Sequence, residues 1–482
     1  MLVLALVLVA AGLVSWRLGW LEEHAAPALE AAVDQVGEWV GLGDDDAPPP
    51  SDDPGSVAAP PELALPPLTR PAVAAPAVEP AALASSRVRA AVQPWLAERS
   101  LGRHVIGAVG SLEEGPAVFE QREGAPTAVP ASTTKVVTTT AALLALGPDH
   151  TFTTRVVAGG GDRVVLVGGG DPLLARQRSD ETTPYPARAD LETLAQRTAR
   201  ALRRDGVRRV SLGYDDSLFT GPAVNPTWEA DYVPDGVVSP ITALWADQGR
   251  DPDGFGRVAD PALDAAQTFA RALQAVGVRV VGAPERGVAG TGGATLASVS
   301  SAPLGEIVER VMDVSDNEAA EVLLRHVGLA EAGEGSSAAG QRAVRALLQR
   351  EGVQLQGVLH DGSGLSRANR LAPFSLVQVL RLAAAPEHPE LRHVATGMPV
   401  AGFTGSLDDR FDGPLPDARG RVRAKTGTLT NVFALAGYAV GPDGVPMAFA
   451  LMADRIDPQV EGLAQPALDN AAAALGACRC GA

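Results

Sequence analysis

Residues 43–86, reading GDDDAPPPSDDPGSVAAPPELALPPLTRPAVAAPAVEPAALASS, set the first limit on what this chain can fold into. Proline removes backbone donors, and Ala, Asp and Gly offer little to bury, so such a stretch reads as an extended, solvated tether. Ahead of it, residues 1–14 are apolar, the first charge is Arg17, and the pair Glu22 and Glu23 follows. This run is shorter than the roughly 20 residues a spanning helix needs and lacks a positive start. It is expected to be a signal peptide or signal anchor over residues 1–21. The alternative, a buried N-terminal helix, fails because the linker over residues 22–87 offers nothing to fold around it. The rest of the chain is therefore expected outside the cell, at the outer face of the cytoplasmic membrane or in the cell wall or periplasm. The membrane would be a partner through the N-terminal segment.

Beyond the tether the chain is long and apolar enough for two or three domains: 482 residues in all, 46% hydrophobic. A formal charge of −17 excludes nucleic acid as a partner, because a phosphate binder needs a dominant basic stripe. The only cysteines, Cys478 and Cys480, stand two apart at the C-terminus, a spacing that argues against an ordinary unstrained disulfide and offers no zinc-site spacing. The seven histidines show no His-Glu-x-x-His, so no metal and no cofactor are expected.

Hydrophobic periodicity divides the folded part. Two short β runs near residues 103–126 lead into a helix starting at Ala131 and ending at Gly147 and Pro148. Short strands then alternate with helices near residues 191–205 and 260–277, the texture of βαβ units. Two or more helices follow, and the end returns to strands before an alanine-rich helix. Strands at both ends with helices between suit one antiparallel sheet whose first and last strands meet. The reading is an α+β chain: one domain from residues 88–157 and 301–482 built on that sheet, and an inserted α/β domain over residues 158–300.

Of 40 basic residues only two are lysines, Lys135 and Lys425. What a lysine can do and an arginine cannot is lose its proton near neutral pH when buried. Lys135 lies three residues after Ser132 in PASTTKVV, on one helical face with it. A serine hydroxyl attacks poorly until a neighbouring base takes its proton, and a desolvated lysine is such a base. A second element, Ser315-Asp316-Asn317, opens a helix and is also good capping chemistry. The third, Lys425-Thr426-Gly427-Thr428-Leu429, suits an edge strand that offers N–H groups and a cation to a carboxylate.

In this order the three elements resemble the marks of the penicillin-recognising serine D,D-peptidases: Ser-x-x-Lys, Ser-x-Asn and Lys-Thr-Gly. The 183 residues between Ser132 and Ser315 resemble the spacing in the low-molecular-weight class C penicillin-binding proteins, the D-alanyl-D-alanine carboxypeptidase/endopeptidases, which carry an extra domain there. GGGDP (168–172), YDDSLF (214–219), HDGSGLSR (360–367) and TGSLDDRF (404–411) extend the likeness. Larger members insert a third domain, but only about fifteen residues separate SPITALW from DPALDAAQ here, so that domain is expected to be absent or reduced to a loop.

The resemblance implies that residues 88–157 and 301–482 form a β-lactamase/transpeptidase-like catalytic domain, an antiparallel sheet with helices on both faces, and it implies hydrolysis of peptidoglycan stem peptides through an acyl-enzyme, with β-lactam antibiotics as covalent inhibitors. It implies Ser132 as nucleophile, Lys135 as base and Ser315 as proton relay. Asn317 would hold the substrate amide, and Lys425 with Thr426 and Thr428 the terminal carboxylate, Gly427 lying between them. The N–H groups of Ser132 and Thr428 would form an oxyanion hole. Trp228 and Asp231, in TWEADY, match a family segment that faces the diamino acid of the stem, where a carboxylate would meet an ammonium. His360 beside Asp361 invites a Ser-His-Asp reading, but adjacent residues rarely converge in that way, so the loop is read as structural. Two rivals stand beside this. A β-lactamase would need a carboxylate-activated water, for which the long insert offers no matching motif. A catalytically silent wall-binding protein would be expected to have lost one of the three marks, and all three are intact.

Overall fold

The computed structural model describes residues 82–121, 126–179, 185–252, 254, 256–290 and 292–482. The expected signal segment, and nearly all of the expected linker, lie outside them. In chain order the elements are α1 (Ser85–Leu96), β1 (Val105–Ser111), β2 (Phe119–Gln121), a 3-10 turn (Ala131–Thr133) running into α2 (Thr134–Leu146), β3 (Thr153–Ala158) and β4 (Arg163–Val167). Then come α3 (Leu191–Arg204), β5 (Arg209–Asp215), α4 (Pro261–Ala275), β6 (Arg279–Val280), β7 (Glu285–Arg286) and β8 (Thr295–Ser300). The chain continues through α5 (Leu304–Asp313), α6 (Asn317–Ala332), α7 (Ser337–Arg350), β9 (Gly357–Val358), β10 (Arg370–Leu371), α8 (Pro373–Ala384) and α9 (Arg392–Thr396). It closes with β11 (Val422–Leu429), β12 (Val432–Val440), β13 (Pro446–Ala453) and α10 (Glu461–Ala477).

An antiparallel sheet in the order β11-β12-β13-β1-β2 joins both ends of the chain, because β1 pairs with β13. Side chains alternate across a strand, so β1 feeds two cores. Ile106 and Ala108 face a cluster with Val136, Val137, Ile307, Leu323 and Val377, from α2, α5, α6 and α8. Val105 and Val109 face the other side, where Val88, Val92, Leu468 and Leu475 of α1 and α10 pack. Helices thus cover both faces, as expected. The second sheet runs β6-β5-β4-β3-β8, with β7 also on β5. Its β4/β5 and β5/β6 pairs are parallel and are crossed by α3 and α4, while β3 is antiparallel to β4 and β8.

Three details differ from the sequence reading. α1 begins at Ser85, two residues inside the stretch read as tether, because Val88, Val92 and Leu96 find a core to enter. The second sheet begins at Thr153 rather than 158, since β3 needs its first residues to pair with β8. Cys478 and Cys480 form a disulfide: α10 ends at Ala477 and the backbone beyond it bends, bringing the Cα atoms to 5.1 Å, inside the bonding range. Spacing alone did not show that bend. Among the described residues no helix is long and apolar enough to cross a membrane.

Candidate active site

α2 holds the centre of the site. Its Thr- and Val-rich sequence is a weak helix former, yet Thr134 to Leu143 are all buried, so packing holds it. Ser132 sits in the 3-10 turn before it, and Ala131 adopts φ 46°, a left-handed value that non-glycine residues seldom occupy. Two glycines let neighbouring backbone close on this turn. A Cβ at Gly364, where φ is 88°, would lie 1.8 Å from the Ala131 carbonyl oxygen, and one at Gly427 would lie 2.7 Å from that of Pro130.

Lys135 is fully buried, and its Nζ makes three hydrogen bonds: to Ser132 Oγ at 2.8 Å, Asn317 Oδ1 at 2.7 Å and the Ser363 carbonyl at 2.8 Å. Two of these partners can only accept. A neutral amine therefore spends both N–H groups on them and turns its lone pair to the Ser132 hydroxyl. Burial pulls the Lys135 ammonium down to about 8, against the opposing field of Asp361, Asp316, Glu321 and Glu318.

The Ser363 carbonyl is itself held from below. Glu321 Oε1 accepts from the N–H groups of Gly362 and Ser363 at 2.9 and 2.7 Å. Asp361 accepts from Gly364 N, Ser366 N, Asn369 Nδ2 and Trp228 Nε1 at 2.6–2.9 Å. Both carboxylates are buried, and burial raises Glu321 to about 7. The loop expected to be structural is so, but it carries the third partner of Lys135. Glu321, four residues beyond Asn317 on α6, was not singled out from the sequence; it shares its helical face with Asn317, Glu318 and Arg325, so no apolar pattern marked it out.

Ser315-Asp316-Asn317 opens α6 with the expected capping chemistry. Asp316 caps α6 by accepting from Ala319 N at 2.9 Å, and Asn317 faces Lys135. Gln248 Nε2 donates to both Asp316 oxygens, at 2.8 and 2.7 Å, and Arg257 pairs with Glu318 at 2.8 Å. The short connection between Trp245 and Asp260 therefore braces the start of α6.

Ser132, Ser315, Asn317, Thr426 and Thr428 line one cavity of about 450 Å³. β11 is an edge strand of its sheet, so it can present Thr426 and Thr428 there. Of the residues expected to meet the substrate, Lys425, Trp228 and Asp231 do not line this cavity. Lys425 is fully buried; it stands opposite Ala436 on the face of β11 that meets α2, and its Nζ donates to the Thr426 carbonyl at 3.1 Å. Burial, then Lys135 and Arg410, holds its ammonium well below the usual lysine value. Trp228 is buried against Asp361, and Asp231 is exposed outside the cavity wall. Their turn instead offers Glu229 and Tyr232, one position further along, to the cavity.

The D-Ala-D-Ala carboxypeptidase 3 (S13) family model matches residues 88–252 and 254–475. The chain belongs to that family. It is 34% identical over 435 residues to a carboxypeptidase of Mycobacterium tuberculosis, covering 88% of this chain and 91% of that protein. It is 30% identical over 410 residues to the D-alanyl-D-alanine carboxypeptidase of Actinomadura sp., covering 69% and 74%. Penicillin binding protein 4 of Haemophilus influenzae has the same fold, with a TM-score of 0.64 at 22% identity over 80% of this chain and 98% of its own; its structure complexed with a β-lactam gives a TM-score of 0.59 at 23% identity over the same shares. The chain is thus a serine-type D-Ala-D-Ala carboxypeptidase.

Proposed function

We propose that Ser132 is the nucleophile and that neutral Lys135 takes its proton as Oγ attacks the carbonyl of the penultimate D-Ala of a peptidoglycan stem. The observation that carries this reading is the hydrogen-bond set of Lys135, whose two obligate acceptors leave only Ser132 for the lone pair. The bond from Ser132 Oγ to that carbonyl carbon forms as the bond to the terminal D-Ala nitrogen breaks. Ser315, in the same cavity, passes the proton that Lys135 took on to the departing amine, which returns Lys135 to its neutral form. Water then resolves the ester, and the proton it loses returns through Lys135. The hydroxyls of Thr426 and Thr428 receive the substrate's terminal carboxylate, with the Lys425 amine beside Thr426. The N–H groups of Ser132 and Thr428 stabilise the oxyanion. β-Lactams acylate the same oxygen. The enzyme acts outside the cell, attached to the membrane through its N-terminal segment.

The test is release of D-Ala from a soluble peptide ending in D-Ala-D-Ala. Stoichiometric release is expected, and it stops after one equivalent of penicillin has bound. No release, or release indifferent to penicillin, overturns the proposal. If penicillin itself were destroyed within seconds, the β-lactamase reading would take its place.

A further inference from the structure

The chain carries −17 overall, yet residues 191–210 hold six arginines against two carboxylates. α3 turns Leu191, Leu194, Ala195, Ala199 and Leu202 into the core of the second sheet. Its other face is therefore charged and wet. Arg197, Arg200, Arg203 and Arg204 line an open groove of about 540 Å³ whose remaining walls are Leu296 and Ala297, with no carboxylate among them. Arg208 and Arg209 continue the exposed basic stretch beyond the helix. Among the described residues none of the six forms an ion pair, although most other arginines outside this stretch do or are bound to carbonyls. Arg197 and Arg203 are pinned by the carbonyls of Ser298 and Val276, at 2.7 and 2.9 Å, while among the described residues Arg200 and Arg204 make no hydrogen bond.

Arginines in a last helical turn complement the helix dipole, which accounts for Arg203 and Arg204. It does not account for Arg197, Arg200, Arg208 or Arg209. Like charges three and four residues apart repel, so such a face is costly unless a polyanion neutralises it. None of these arginines lines the cavity that holds Ser132. We propose that the arginine face of α3 is a second binding surface for the enzyme's own polymeric substrate, the peptidoglycan network, held through the repeated carboxylates of its stem peptides. This rests on the substrate class proposed above. The face grips the polymer at one stem while the cavity works on another, so it raises the local concentration of D-Ala-D-Ala ends without touching the chemistry.

The test compares the full-length enzyme with its Arg200→Glu/Arg204→Glu variant, both positions being exposed and unbonded. Sedimentation with purified insoluble peptidoglycan at about 20 mM salt is expected to weaken about tenfold in the variant, and D-Ala release from that polymer to slow in parallel. Turnover of the soluble peptide and the rate of penicillin acylation stay at the level of the unaltered enzyme. At about 0.5 M salt the two proteins converge. Equal sedimentation at low salt overturns the proposal. So does an equal loss on soluble and polymeric substrate. Loss of binding to anionic phospholipid vesicles with peptidoglycan binding intact also overturns it and assigns the face to the membrane. Should neither protein release D-Ala from the soluble peptide, the carboxypeptidase mechanism falls, while sedimentation still decides the arginine face.

Discussion

Ser132→Ala abolishes the covalent penicillin adduct and D-Ala release, while the protein still folds and still binds substrate reversibly. The change removes one hydroxyl from a half-buried turn whose geometry is fixed by other groups: Thr133 Oγ1 on the Pro130 carbonyl at 2.7 Å, Thr134 Oγ1 on that of Ala131 at 2.9 Å, and the two glycine contacts. Thr426, Thr428 and Asn317 keep their places around the cavity. Intact-protein mass after exposure to penicillin measures the outcome. A retained adduct contradicts the assignment and points to Ser315, the other serine in the cavity.

Lys135→Arg keeps the positive charge and lowers the acylation rate about a thousandfold, in the range expected for losing a general base. Arginine stays protonated at any pH the protein survives, so no lone pair faces Ser132. Its planar fork is also larger than the fully buried space that Lys135 occupies. Lys135→Met, which preserves the approximate volume without the charge, separates these causes. If packing is the fault, Met restores the rate; if the base is missing, both variants acylate equally slowly. Stopped-flow mixing with a chromogenic β-lactam reads the rates, and a thermal melt shows that each variant is folded.

Much of this site was legible along the chain because its parts are local. Ser-x-x-Lys fixes its own geometry on one helical face, Asp316 caps the helix on which Asn317 rides, and the β-prone run before Lys425 makes the strand that carries Thr426 and Thr428. The meeting of β1 with β13 followed from strands at both ends and helices between. What was not legible depended on contacts remote in sequence. In the turn around Trp228 no period tells one face from the other, and only the bond from its indole to Asp361, 133 residues away, shows that it turns inward while Glu229 and Tyr232 face the cavity. Lys425 was expected to touch the substrate; it lies on the face of β11 that packs towards α2, opposite Ala436, and is fully buried there. Glu321 and the Ser363 carbonyl matter only because a loop 41 residues beyond Glu321 folds back over its carboxylate.

The central claim is that an uncharged Lys135 amine strips the proton from Ser132, and the pH dependence of penicillin acylation tests it most directly. Protonated Lys135 has no lone pair, so the reactive fraction grows as pH rises towards the Lys135 value of about 8. The fields facing this amine are those of Asp361, Asp316, Glu321 and Glu318, with the buried Lys425 opposing them. The acylation rate is predicted to climb about tenfold per pH unit between roughly pH 6 and 7, then level off above pH 8. A rate that stays flat from about pH 6 to 9, with the enzyme folded throughout, would contradict the account.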